Sequence, residues 1–147
     1  MFLILYSVVS LTVIYTDVKY RKIYNIQCIL IFLLSYFIST PWMTNKAVLL
    51  SILMLSFISI VIYKFRVWAG GDSKLLIAIS PLFMISLLPY VIYLILLCGG
   101  IISIFYWVKY RLVFRSRKDR GLPYGLAIIS GSNIFLYGIL YSVAIYN

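Results

Sequence analysis

The 147-residue chain is 65% hydrophobic and 11% charged, whereas soluble domains run nearer half apolar and about a quarter charged, so it has too little polar surface to face water. Its 13 Lys and Arg against 3 acidic residues give a net charge of +10, but the basic residues form short clusters between apolar stretches, a membrane-topology pattern that argues against nucleic-acid binding. Histidine and glutamate are absent, which excludes Ser-His-Asp, Cys-His and H-E-x-x-H chemistry and leaves Asp17, Asp72 and Asp119 as the carboxylates.

The first uncharged run, Met1 to Thr16, is 16 residues long. As a helix it covers about 24 Å against a hydrocarbon core of about 30 Å, so Asp17 falls at the membrane boundary or slightly within it. No basic segment precedes this run, so it reads as a first span and not as a cleaved leader. Lys19, Arg21 and Lys22 follow and mark the cytoplasmic side. A second span at about 26–40 leads to the short loop S-T-P-W-M-T-N, and a third at about 46–63 returns to Lys64, Arg66 and Lys74. From Leu75 to Val108 run 34 uncharged residues, about 51 Å as one helix and too long for one crossing. Two short spans joined by a turn near Ser86–Pro89 keep both basic flanks on one side. The basic loop Lys109–Arg120 precedes a last span from about Pro123.

These elements predict an all-α, polytopic membrane bundle of six spans with both termini outside, forming one membrane-embedded domain over 1–147. Lipid offers the backbone no hydrogen bonds, and no period-2 pattern suggests a barrel. Of the 13 basic residues, all but Lys46 then lie on the cytoplasmic side, where they can also touch anionic headgroups. Cys28 and Cys98 sit in apolar runs without C-x-x-C spacing and read as packing residues, so no metal site is expected. Trp42, Trp68, Trp107, Tyr15, Tyr63 and Tyr106 fall near span ends and read as interface anchors. Pro81, Gly99 and Gly100 are expected to kink or closely pack their helices. Asp119, in R-S-R-K-D-R, reads as a locally salt-paired loop residue.

Two aspartates remain for chemistry. Asp17 lies in T-D-V-K-Y-R-K-I-Y-N and Asp72 in W-A-G-G-D-S-K-L-L, and the topology puts both at one depth on one side of the membrane. Taken singly, Asp17 could be an ordinary juxtamembrane charge and Asp72 an ordinary helix cap. Taken together, two carboxylates can share a proton, one activating water while the other polarises an amide. Gly70 and Gly71 would let an extended substrate approach. Each residue's own helix dipole would make Asp72 the resting base and Asp17 the resting acid, while the nearby Lys19 and Arg21 push Asp17 the other way, so the order could invert. Ser73 and Lys74 are a poor nucleophilic dyad, because neighbours on a helix point apart.

The pattern Asp17-x-x-x-Arg21-x-Ile23-x-Asn25 resembles the first aspartate motif of type IV prepilin peptidases, usually written with Ile-Pro-Asn. Gly71-Asp72-Ser73-Lys74-Leu75 resembles their second motif, G-x-G-D-x-K-L, and Leu122-Pro123-Tyr124-Gly125 looks like the Pro-Tyr-Gly start of the last span in small Tad/Cpa-type members. Tyr24 stands for the usual proline, and Ala69 for the first glycine of G-x-G-D. The resemblance implies a cofactor-free aspartyl endopeptidase of the cell membrane, its site facing the cytoplasm. It would remove the basic leader of prepilin-like proteins with Asp17 and Asp72, supported by Arg21, Asn25, Gly70, Gly71 and Lys74. The cysteine-bearing segment of bifunctional members does not appear, so methyltransferase activity is not expected. A presenilin-like protease would pair its aspartates with Tyr-Asp and Pro-Ala-Leu motifs, and neither is present. A small transporter or assembly subunit with proton-carrying aspartates is the non-enzymatic alternative.

Overall fold

A computed structural model describes residues 1–65, 68–109, 111 and 122–146, with side chains of the last helix described as far as Ser142. Among these residues there are six α-helices and no strand: α1 (Phe2–Tyr20), α2 (Asn25–Ser39), α3 (Asn45–Lys64), α4 (Gly70–Ile79), α5 (Leu88–Val108) and α6 (Tyr124–Tyr146). Four segments are long and apolar enough to cross a membrane, namely Phe2–Tyr20, Asn45–Lys64, Ile85–Val108 and Tyr124–Ser142. Helix α2 is shorter, at 15 residues. The loop bearing Asp119 lies outside the described residues.

Helix α4 departs most from expectation. It begins at Gly70, five residues before the uncharged run, and stops at Ile79 after 10 residues, about 15 Å. Pro81 ends this helix where a kink was expected, because a proline there has no N–H to carry the ladder onward. Two 3₁₀ turns, Ser80–Leu82 and Ile85–Leu87, then reverse the chain, starting earlier than the turn expected near Ser86–Pro89.

Short as it is, α4 is central, packed against α2, α3 and α6, while α1 touches α2 and α6. Helices α1, α2, α4 and α6 therefore close a ring, with α3 outside α4 and α5 outside α6. Leu75, Leu76, Ile79 and Phe83 are fully or almost fully buried inside it, beside Val13, Ile31 and Ile128. The outer faces of α3 and α5 expose Leu53, Phe57, Ile60, Leu96, Ile101 and Phe105, as lipid-facing helices do. Close contact between α5 and α6 depends on Gly131, where an added methyl would come within 2.7 Å of the Ile95 backbone. Gly99 lies against the Tyr124 ring, but among the described residues nothing lies within 4 Å of a methyl built on Gly100, so only the first of that pair packs closely there.

Candidate active site

Asp17 sits one turn before the end of α1, which closes at Arg21 in a left-handed conformation (φ 56°, ψ 37°) with its N–H on the Asp17 carbonyl. A left-handed residue ends a helix as a glycine would, and for a side-chain-bearing residue it costs about 1–2 kcal/mol. The turn it starts carries the chain straight into α2. There Tyr24 is the N-cap (φ −81°, ψ 141°), and its N–H donates to Gln27 Oε1 at 3.1 Å. Proline could hold that φ but could not make that bond. Gln27 Oε1 also accepts from Thr16 Oγ1 at 3.2 Å, tying the turn back to α1. Gln27 was not singled out from the sequence, although a glutamine three residues after an N-cap is a capping signal.

Asp72 is the third residue of α4, and its Oδ2 accepts the Ala69 N–H at 3.2 Å. Ala69 has φ −75° and ψ 160°, ordinary extended backbone, so alanine in place of the first glycine strains nothing. Gly70 and Gly71 form the first turn of the helix and not a loop. Gly70 faces Tyr63, and a methyl on Gly71 would sit 3.4 Å from Ile23 Cβ. Ser59 Oγ on α3 donates to the Ser73 carbonyl at 2.9 Å and holds α4 from behind.

The two aspartates share a cavity. Asp17, 5% exposed, and Asp72, 8% exposed, line one cavity of about 450 Å³ together with Arg21, Ile23, Gly71 and Leu122. Asp17 Oδ2 accepts the Leu126 N–H, at the start of α6, at 3.0 Å. Its carboxyl thus faces a helix N-terminus, as Asp72 does, and the asymmetry expected from each residue's own helix is gone.

Of the other singled-out residues, Arg21 lines the cavity with its guanidinium 5.0 Å from the centre of the Tyr106 ring. Asn25 and Lys74 do not line it. They bond each other instead, Lys74 Nζ donating to Asn25 Oδ1 at 3.0 Å across 49 positions of sequence, and so tie α2 to α4. Trp68 is buried against Tyr124, ring centres 5.5 Å apart, and is no interface anchor. Ile23 fits between two glycines: its Cδ1 would lie 2.8 Å from a methyl on Gly125, which would also meet Asp17 Oδ2 at 2.8 Å. Among the described residues no three metal-ligating side chains converge.

A family model described as the type IV leader peptidase family matches residues 4–104, well over half of the chain, a stretch that contains Asp17, Asn25, Asp72 and Lys74. No curated protein and no solved structure matches the chain.

Proposed function

The chain belongs to the type IV leader peptidase family, and on that premise we propose that it is an aspartyl endopeptidase removing the basic leader of prepilin-like proteins. The observation that carries this reading is the pair of buried carboxylates, Asp17 and Asp72, lining one cavity. One carboxylate takes a proton from the attacking water, and the other, protonated, donates to the carbonyl oxygen of the scissile amide. The proton then passes to the leaving amine as the C–N bond breaks. Neither residue can do both tasks at once.

In this reading the bundle makes six crossings of the cell membrane with both termini outside. The aspartates lie at the cytoplasmic boundary, beside Lys19, Lys22 and the anionic headgroups these would touch. The substrate's apolar stem stays in the bilayer, its basic leader lies in the cytoplasm, and the bond between them is level with the cavity. Peptidase activity alone is assigned, without methyl transfer and without a cofactor.

Purified chain incubated with a prepilin-like protein should release the leader. Asp17→Asn and Asp72→Asn should each lose nearly all cleavage while inserting normally, and Asp119→Asn, the same change of charge in a basic loop, should cleave like wild type. An inserted Asp72→Asn protein that still cut the leader at a comparable rate would end the assignment.

A further inference from the structure

The first turn of α6 touches the site in a way that neither aspartate motif specifies. Its Leu126 N–H is bonded to Asp17 Oδ2 at 3.0 Å, and Gly125 presents only hydrogen where a methyl would stand 2.8 Å from that oxygen and 3.1 Å from the carboxyl carbon. Real side-chain carbons do not approach so closely, so anything larger than glycine must displace either the carboxyl or the helix. The helix has little freedom to yield. Tyr124, one residue earlier, packs its ring on Trp68, which immediately precedes Ala69 at the head of α4, and also lies against Gly99 on α5. The start of α6 is thus held on two sides before it reaches Asp17.

We infer that the first turn of α6 is a third component of the site, in which Gly125 and the Leu126 N–H are positioning groups that fix the Asp17 carboxyl toward Asp72. The inference rests on the proposed catalytic role of Asp17. The Leu126 amide holds one oxygen of the carboxyl, and a fixed carboxyl orientation is what proton transfer to or from a substrate requires. Among the described residues, the charged and titratable groups that line the cavity with that carboxyl are Asp72 on α4 and Arg21, Lys22 and Tyr24 in the turn after α1.

Gly125 also makes room for Ile23 Cδ1, at 2.8 Å, so a packing role must be separated from a positioning role. The variants that do so are Gly125→Ala, Gly125→Ala combined with Ile23→Val, which deletes the clashing Cδ1, and Ile23→Val alone. Gly131→Ala is the structural comparator, since its methyl would strike the Ile95 backbone and not an aspartate. Leader cleavage is measured over a range of pH, with thermal unfolding in detergent alongside. Gly125→Ala should lower kcat at least about tenfold with KM within about twofold, and it should move a limb of the pH–rate profile. The double variant should regain unfolding behaviour close to that of Ile23→Val but not the rate or the profile. Gly131→Ala should unfold more easily with its profile unmoved. Recovery of the wild-type rate and profile in the double variant would overturn the inference, because Gly125 would then serve Ile23 alone. Should Asp17→Asn itself cleave normally, the aspartyl reading fails instead, which is a separate result.

Discussion

Helices α4 and α5 both carry a glycine pair, and they use it in opposite ways. Helix α5, 21 residues long, belongs to the most hydropathic candidate span of the chain, and of the helices it packs chiefly on α6. Its Gly99–Gly100 pair lies mid-helix, with one member against Tyr124 and the other in open space. Helix α4 has 10 residues and is no candidate span, yet it is surrounded by α2, α3 and α6 and starts with the pair that leads into Asp72. Helix α4 falls short of a candidate span because it has 10 residues and half of them, Gly70 to Lys74, are polar or glycine. The apolar half that follows is buried against protein.

The contrast can be tested from the site outward. Gly71→Val should have the largest effect. It forces a branched side chain against Ile23 in the wall of the aspartate cavity, an overpacking cost of about 1–3 kcal/mol, with leader cleavage falling at least about tenfold. An active and stable Gly71→Val protein would show that the α4 glycines are as dispensable as Gly100.

Smaller is the cost of cutting the link between α2 and α4. Asn25→Ala and Lys74→Met should each lower cleavage a few-fold, and the double variant should lose little more than either single one, since both break one bond. Strict additivity would mean that the two residues act separately. Smallest of all, Gly100→Ala on α5 should leave cleavage unchanged and stabilise the helix by about 0.5–1 kcal/mol, because open space surrounds the added methyl. Any loss of activity there would blur the distinction between the two helices.

Much of this architecture was legible in the order of charges and apolar runs. The bounds expected for α2, α3 and α6 lie within a residue or so of those found, because charged and polar residues mark their ends. The identity of the paired aspartates was legible by elimination, since so few carboxylates exist. What escaped was decided by contact between distant segments. Trp68 stands where an interface anchor would stand in sequence, but Tyr124 draws it inside. Lys74 and Asn25 were expected in a supporting role, but that each is the other's partner, across 49 positions, was not legible. The start of α4, expected at Asp72, lies two residues earlier, because Gly70 and Gly71 lack the hydropathy by which a span is recognised. They form a helix because Asp72 caps it and Ser59 holds it. The environment of Asp17 was least legible, since its partner amide is 109 positions away.

That distance has a consequence for how the protein is made. Both aspartates and the Asn25–Lys74 link are encoded before α5, so a ribosome has delivered them while the final helix is still to be synthesised. The amide that holds Asp17 arrives only with Leu126. On the inferred role of that amide, a nascent or truncated chain ending before Pro123 would carry both carboxylates without being able to use them. Proteolytic competence would then switch on at the insertion of the last helix, and chains stalled in the translocation machinery would be harmless to the membrane proteins around them.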